Sequence, residues 1–234
     1  MTQQATTAWF TVYDMYTEQQ CDELVGILRD LEEWRPGAAR TKEATDLLKH
    51  NLELKPETGE IPKQLCYQHG LNLSKHHAIR RDHLIRRVSP PKFNWYKAPA
   101  GDYRRHCDSH SMHDVRTDLA CTTFLTDPDD CVGGELNLED WYGNVHTLKG
   151  KKGQCVVYQC GRPHWVTQVT EGERMSVVCW IQSHVQDFTK RQVLAEYGRT
   201  LMALEPHLQG TDLQSEWIRL GAVQAELLRM WMGT

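Results

Sequence analysis

The sequence predicts a single α+β domain whose core is mainly β, with helices at its N-terminal and C-terminal ends. Between residues 93 and 183, short apolar runs alternate with turn signals at a spacing of roughly 8–12 residues, which is typical of an all-β sandwich or barrel. Apolar residues recur at helical spacing before and after that region. The chain has 234 residues, of which 40% are hydrophobic, so it is long enough to form one large core.

Residues 17–34 predict the first helix. Thr17 is a favourable N-cap residue, and Gln20 stands three positions later, where it can complete a capping box. The Pro36-Gly37 pair predicts the end of the helix. The apolar stripe that would face the core consists of Leu24, Ile27, Leu28 and Leu31.

The next two segments carry weaker signals. Residues 41–64 are mixed and polar, with two prolines and a glycine, so we expect loops there. Residues 74–87 are basic and end before Pro90-Pro91. We interpret them as a solvated helix face, although such a face can also attract an acidic substrate or a nucleic acid backbone.

The β core is predicted from apolar runs at 93–99, 117–130, 134–140, 143–153, 154–159, 164–173 and 174–183. Gly133-Gly134 most simply supplies a turn with positive φ. Two helices are expected after Ser183, at 186–205 and 211–231. The second carries an apolar stripe that we expect to cover the core, formed by Trp217, Leu220, Val223, Leu227 and Trp231.

Composition excludes several classes of protein. The net charge of -4 favours neither a nucleic acid nor an acidic membrane surface as a partner. No run approaches the roughly 18 apolar residues of a membrane span, and the first residues lack the order of a signal peptide, so we expect a cytoplasmic location. In that reducing compartment the eight cysteines should be mostly buried thiols, and no C-x-x-C pair suggests a zinc knuckle or a thiol redox site.

The stretch YRRHCDSHSMHD, residues 103–114, suggests a metal site. On a strand, His106 and Asp108 would point to one side and Cys107 to the other. His164 begins a later β run and offers a third ligand. Two histidines and one carboxylate leave three coordination positions open, which suits non-haem Fe(II). The alternative is a zinc site of a hydrolase, built from His106, His110 and His113 on a helix.

Arg174 lies on the same predicted barrel, ten positions after His164. With Ser176, Val178 and Trp180 it would share the inward face of the last strand. A buried guanidinium needs an anion, because an unpaired buried charge is very costly. A keto diacid such as 2-oxoglutarate meets both needs, since its keto-acid end can chelate iron and its far carboxylate can pair with arginine. The alternative is an ion pair with a protein carboxylate.

These residues resemble a known family. The order H-x-D at 106–108, His164 about fifty residues later, and then Arg174 is similar to that of the Fe(II)/2-oxoglutarate-dependent dioxygenases of the prolyl 4-hydroxylase-like superfamily. Further blocks resemble the bacterial PKHD-type hydroxylases, and the similarity runs from about residue 10 to about residue 205. The blocks are KHNLEL, SPPKFNWY, VRTDLACTTFLTDPDDCVGGELNLED, HWVTQVTEGER and WIQSHVQD.

The resemblance implies a double-stranded β-helix, that is, a jelly-roll, cupin-like barrel at 93–184, supported by helices and strands at 9–92 and by C-terminal helices at 185–234. It implies Fe(II) on His106, Asp108 and His164, and 2-oxoglutarate and O2 as co-substrates, with ascorbate as a supporting reductant. Arg174 would anchor the co-substrate and Tyr96 would donate a hydrogen bond to it. Thr170 and Trp180 would line its pocket, or else belong to the barrel core.

The implied activity is hydroxylation of an unactivated C–H bond of an amino acid (free, carrier-bound or peptidyl) or a related small metabolite, with release of succinate and CO2. Alternatives are desaturation, epoxidation or ring formation by the same iron chemistry, or a non-enzymatic metal-linked binding barrel. We expect a monomer or homodimer with no nucleic acid or membrane partner. Residues that would contact substrate, or else be structural surface residues, are Asn51, Arg105, His110, Trp141 and Tyr142.

Overall fold

The computed structural model describes residues 9–38 and 48–232. Its helices are α1 (Glu18–Asp30), α2 (Glu60–Lys75), α3 (His77–His83), α4 (Phe188–Leu208) and α5 (Gln214–Trp231). Its strands are β1 (Phe10–Asp14), β2 (Arg35–Pro36), β3 (Leu52–Leu54), β4 (Ile85–Val88), β5 (Lys92–Lys97), β6 (Gly101–His106), β7 (Ser111–Met112), β8 (Val115–Arg116), β9 (Leu119–Phe124), β10 (Cys131–Val132), β11 (Leu136–Glu139), β12 (Val145–Leu148), β13 (Gln154–Gln159), β14 (His164–Val169) and β15 (Glu171–Ser183).

Two antiparallel sheets face each other and form the predicted jelly-roll barrel. The larger has the order β1-β13-β9-β15-β5-β3-β2, with β4 and β10 also paired to β15. The smaller has the order β12-β11-β14-β6. An apolar cluster between them takes Ala120, Tyr158 and Trp180 from the larger sheet and Leu138 and Val166 from the smaller one.

The long strand β15 separates the barrel interior from the outer helices, as its alternation predicted. Arg174, Ser176, Val178 and Trp180 line the interior. Met175, Val177, Cys179 and Ile181 point outward into clusters that α1, α2 and α3 cover. Because side chains alternate between the two faces of a strand, this single strand both builds the site and anchors the helical layer.

The predicted capping box of α1 is confirmed. Thr17 Oγ1 accepts from the backbone N–H of Gln20, and the Gln20 side chain accepts from the backbone N–H of Thr17. The helix ends at Asp30, four residues before the predicted end at Trp34. The chain turns back there, because the indole N–H of Trp34 donates to the carbonyl of Leu28 at 2.8 Å.

Residues 41–64, where we expect loops, also contain a strand and the start of a helix in the part that the structure describes. Residues 39–47 lie outside the described residues. After them, β3 adds Leu54 to the core and α2 begins at Glu60. A three-residue strand is too short to show an alternating pattern, and Pro62 stands in the first turn of α2, where a proline is tolerated.

The basic segment is more buried than a solvated face would be. It forms α3 and β4, and Ile79, Asp82 and His83 are buried. The hydroxyl of Tyr13 donates to Asp82 at 3.1 Å, which ties α3 to the outer face of β1. Only part of the predicted charged surface therefore faces solvent.

The expectation that the last helix covers the core is wrong. α4 buries Leu194 and Leu201, but no residue of α5 is buried, and Val223 in the middle of its apolar stripe is 48% exposed. The helix packs on α4, where the Tyr197 hydroxyl donates to the carbonyl of Leu220. The apolar stripe of α5 thus packs against another helix rather than against the barrel.

The structure also bears on two features expected from the composition, the cysteines and the apolar segments. Six of the eight cysteines are buried and all are free thiols, as predicted. Among the residues described, no helix combines the length and the apolarity that crossing a bilayer requires.

Two glycines have nearly the same positive φ but differ in the space around them. Alanine substitutions at the two positions can therefore distinguish the cost of the backbone conformation from the cost of a steric clash. Gly143 has φ +83° and open space around it, whereas at Gly153, with φ +85°, a Cβ would lie 2.2 Å from the carbonyl oxygen of Tyr16. Alanine at Gly143 should cost about 1–2 kcal/mol from the left-handed backbone alone. Alanine at Gly153 should cost about 1–3 kcal/mol more, because the β1 end must move. Equilibrium unfolding in urea measures both, and equal losses would contradict this packing.

Candidate metal centre and cavity

Three potential metal ligands converge where β6 ends and β14 begins. His106 is the last residue of β6, His164 is the first of β14, and the two are cross-strand partners. Asp108 lies two residues beyond the end of β6, so the expectation that it continues the strand face is wrong. Its carboxylate nevertheless reaches the histidines, and the ligand atoms of all three residues lie within 4.8 Å of one another.

Backbone carbonyls orient both imidazole rings. Nδ1 of His106 lies 2.8 Å from the carbonyl oxygen of Arg104, and Nδ1 of His164 lies 3.1 Å from that of Arg162. Each Nδ1 therefore carries a proton and donates it, so a metal would bind through Nε2. The two Nε2 atoms face Asp108, at 3.9 and 3.6 Å from its oxygens. This arrangement is typical of histidines that bind a metal through Nε2.

Aromatic rings hold the histidines in place. Tyr103 stacks on His106 with ring centroids 3.6 Å apart, and Tyr158 meets His164 edge-on at 5.5 Å. Burial, and then the neighbouring His164, lowers the pKa of His106 to about 4. The ring is thus neutral near pH 7, which is the form that binds a cation.

The alternative zinc site is wrong. Residues 106–113 do not form a helix, because β6 ends at His106 and Ser111–Met112 is a strand. His106, Asp108 and His164 are the only such cluster of ligating side chains within residues 9–38 and 48–232. His110 and His113 lie in the loop and turn beyond it.

A cavity of about 450 Å³ opens beside these ligands, between the two sheets. Its size suits a small molecule. The polar and charged side chains that line it, besides the three ligands, are Lys49, Lys92, Asn94, Tyr96, Tyr103, Ser109, Thr122, Tyr158, Arg174 and Ser176. Its apolar walls include Leu136, Val166, Val178 and Trp180.

Arg174 is a buried cation without a protein counter-ion. It is 4% exposed, and among the described residues no carboxylate oxygen lies within 4 Å of it, so the predicted alternative of an ion pair is wrong. Nη1 donates to Ser176 Oγ at 2.8 Å, while Nη2 has no hydrogen-bond partner in the part of the chain that the structure describes. The guanidinium lies over the ring of Tyr96 at 5.0 Å. Burial lowers the pKa of Arg174, yet an arginine stays charged in proteins, so the cavity presents an unmatched positive charge.

Gly134 makes room for this arginine. Its φ of +76° and the +82° of Gly133 confirm the predicted turn with positive φ. A Cβ at Gly134 would lie 3.0 Å from Cδ of Arg174. The glycine pair thus serves the anion site by letting the backbone approach the arginine stem.

The other predicted co-substrate residues separate into two groups. Tyr96 and Trp180 line the cavity. Burial raises the pKa of Tyr96 to about 12, so its hydroxyl stays protonated and can donate a hydrogen bond. Thr170 is exposed outside the lining, with its backbone N–H bound to the carbonyl of Val132.

None of the predicted substrate residues lines the cavity. Asn51 is buried and donates to Asn94 Oδ1 at 2.9 Å. Arg105 pairs with Glu139 at 2.7 Å, and His110 is exposed in the loop after β6. Trp141 and Tyr142 are exposed in the turn between β11 and β12, where the guanidinium of Arg162 covers the Trp141 ring at 4.2 Å. A substrate role for these five residues stays a prediction.

Sequence reasoning missed several lining residues. Lys92 and Asn94 alternate with Tyr96 on β5, so the period of two of a strand would have placed them on the same side as the tyrosine that the resemblance identified. Lys49 and Tyr103 gave no such signal, because one precedes a very short strand and the other belongs to a strand with mostly polar residues.

Known proteins resemble the chain in sequence and in structure. The sequence model of the 2OG-Fe(II) oxygenase superfamily matches residues 91–182. A PKHD-type hydroxylase of Teredinibacter turnerae is 33% identical over 204 residues, which are 85% of this chain and 88% of the relative. That of Variovorax paradoxus is 33% identical over 229 residues, 94% and 97% of the two chains. The crystal structure of a Pseudomonas putida prolyl-4-hydroxylase matches 74% of this chain and 92% of its own, with a TM-score of 0.51 and 22% sequence identity. This chain therefore has the same fold as that enzyme.

The ligand cluster makes a direct prediction for metal binding. His164→Ala removes one of three donors, so affinity for Mn(II), used as a redox-stable probe, should fall by at least about 100-fold. His110→Ala is the matched control, because its ring lies outside the cluster, and it should bind Mn(II) as the parent does. Isothermal titration measures both variants. Equal loss in the two, or none in His164→Ala, would contradict the cluster as the metal site.

Proposed function

The chain belongs to the 2OG-Fe(II) oxygenase superfamily and, within it, to the PKHD-type hydroxylases, and from this premise we propose that it hydroxylates an unactivated C–H bond of an amino acid or a related small metabolite. It is an oxidoreductase that requires Fe(II), 2-oxoglutarate and O2. The amino acid is free, carrier-bound or peptidyl in this proposal. The observation that carries it is the buried, unmatched guanidinium of Arg174 in the same cavity as three converging metal ligands.

His106, Asp108 and His164 hold Fe(II) in this proposal. Two imidazoles whose Nε2 atoms face one carboxylate suit a ferrous ion that must also bind a chelating co-substrate and O2. The backbone carbonyls on both Nδ1 atoms fix the rings before the metal arrives. Tyr103 and Tyr158 restrict ring rotation, so the donors keep their geometry at little entropic cost.

Arg174 orients the co-substrate. Its free Nη2 can donate to the far carboxylate of 2-oxoglutarate, while Ser176 holds Nη1. The Tyr96 hydroxyl adds a second donor beside it. Bound Fe(II) supplies the oxidation chemistry, in which one oxygen atom of O2 enters the C–H bond as hydroxyl, the other enters succinate, and CO2 leaves. The apolar walls limit water at the reacting carbon.

A cytoplasmic location, support by ascorbate and a monomeric or dimeric state stay predictions. Desaturation, epoxidation and ring formation would use the same bound groups, and the residues give no reason to prefer them.

Removing the guanidinium should specifically weaken co-substrate binding. In Arg174→Met, the dissociation constant of 2-oxoglutarate from the anaerobic Fe(II) protein should rise about 100-fold, since a charged hydrogen-bonded pair contributes about 1.5–3 kcal/mol and more when bidentate. The visible absorption of the iron chelate follows the titration. Arg29→Met is the control, because Arg29 pairs with Glu173 on the outside of the same strand. An unchanged affinity in Arg174→Met would remove the proposed anchor.

Succinate release tests the substrate proposal. A panel of free amino acids, short peptides and carrier-bound amino acids is supplied with Fe(II), 2-oxoglutarate and O2, and one class should raise succinate formation above the rate without substrate. The product should gain one oxygen atom by mass spectrometry. If no member of the panel raises the rate, the amino-acid proposal fails, while the metal and co-substrate titrations still report on the centre itself.

A further inference from the structure

Two lysines and one glutamate form a charged cluster on the cavity wall. Lys49 precedes β3, Glu53 lies on β3, and Lys92 is the first residue of β5. Glu53 stands opposite Asn94 in the β3–β5 pair, so it points toward the same side as Lys92 and Asn94. Both lysines line the cavity.

Glu53 does not fully satisfy the ammonium groups around it. It is 1% exposed and forms a close ion pair with Lys49 and another with Lys55 at 2.9 Å. Burial alone would raise the pKa of Glu53, but Lys92 and Lys49 outweigh it and hold the pKa at about 2, so the group stays a carboxylate. Nζ of Lys92 lies 3.7 Å from the nearest Glu53 oxygen, which is beyond the length of an N–H···O hydrogen bond.

Lys92 and Trp180 both line the cavity, and each carries a hydrogen-bond donor. Nζ of Lys92 lies 5.0 Å from the centroid of the Trp180 ring. The indole N–H of Trp180 is buried and has no hydrogen-bond partner among the described residues. A buried donor without a partner costs free energy, so both groups favour a ligand with acceptor oxygens.

The charges around the cavity leave an excess of ammonium groups. The charges of Fe(II) and Arg174 are balanced by Asp108 and by the two carboxylates of 2-oxoglutarate. Glu53 is shared by Lys49, by Lys55 and, at the longer distance of 3.7 Å, by Lys92. Among the described residues and the required co-substrates Lys92 has no closer anion, and a partly buried cation whose charge is incompletely offset favours a further carboxylate.

The lysines and Arg174 serve different anions because they lie apart. Arg174 pairs with Tyr96, and Lys92 pairs with Val178, four residues further along β15. At about 3.3 Å per residue the two backbone positions are about 13 Å apart. Nζ of Lys49 lies 4.6 Å from the ring centroid of Tyr103, which stacks on His106. Lys49 thus lies one aromatic ring away from His106, whereas the backbone of Arg174 lies about 13 Å along the sheet from that of Lys92.

Resting on the proposed hydroxylase function, we propose that the primary substrate carries a free carboxylate that binds Lys92, with Lys49 and the Trp180 indole beside it. This places the substrate carbon next to His106, Asp108 and His164. It selects small carboxylic acids, free amino acids among them, over carrier thioesters and internal peptide residues, whose carboxyl groups are masked.

The test compares acids with their primary amides on the complete complex. Anaerobic protein loaded with Fe(II) and 2-oxoglutarate is titrated with a panel of small monocarboxylic acids and L-amino acids and with the amide of each. Calorimetry and the visible band of the chelate report binding without turnover. We expect at least one acid to bind at least about tenfold more tightly than its amide.

Substitutions locate that preference. Lys92→Met should abolish the difference between acid and amide and change 2-oxoglutarate affinity less than twofold, while Lys92→Arg should retain the difference. Lys97→Met is the matched control, because Lys97 lies on the opposite face of β5, over Trp95. Thermal unfolding checks that each variant is folded.

Three results would overturn the proposal: no acid binds better than its amide, the preference survives in Lys92→Met, or Lys92→Met loses 2-oxoglutarate as Arg174→Met does. In the last case the lysine serves the co-substrate. A failure of the proposed function itself is distinct, because the chelate band would then be missing from the parent protein before any acid is added.

Discussion

The pairing register of β6 with β14 is the constraint on which the site depends. It sets His106 directly opposite His164, at the point where both strands reach the barrel mouth. A slip of one residue would turn one imidazole to the other face of the sheet and destroy the cluster. Two carbonyl contacts and the Tyr103 ring then fix the histidines that the register has brought together. Asp108, the third residue of the cluster, comes from the loop after β6. Its position therefore does not depend on the alternation of side chains along a strand.

Positively charged side chains occupy two separate regions of the cavity. Arg174 lies in one of them, buried beside Tyr96 and without a carboxylate among the residues described. Lys49, Glu53 and Lys92 form the other region, where one carboxylate is shared among several ammonium groups. A protein rarely buries cations in this way without ligands to match them, because the desolvation of each charge has to be offset. The cavity is therefore complementary to anions both at Arg174 and at the lysines.

Much of the fold could be predicted from local patterns in the sequence, whereas the three candidate metal ligands were identified by the order and spacing of their motifs and by the family resemblance. The capping box of α1 and the two faces of β15 follow from spacing, and both are confirmed. What could not be predicted depends on contacts between distant segments. The Glu53 cluster joins a three-residue strand to β5, and the stripe of α5 meets α4 instead of the barrel. An apolar stripe indicates which face of a helix packs against the rest of the protein, but it does not indicate which element packs there.

An anaerobic crystal structure with Mn(II) and 2-oxoglutarate tests the central claim most directly. We predict the metal on Nε2 of His106, Nε2 of His164 and the carboxylate of Asp108, with the keto acid chelated to it and the far carboxylate on Arg174. Lys92 should remain free of the co-substrate and face the space beside the metal. A metal held by other residues, or a co-substrate whose far carboxylate lies on the lysines while Arg174 stays unmatched, would contradict the account.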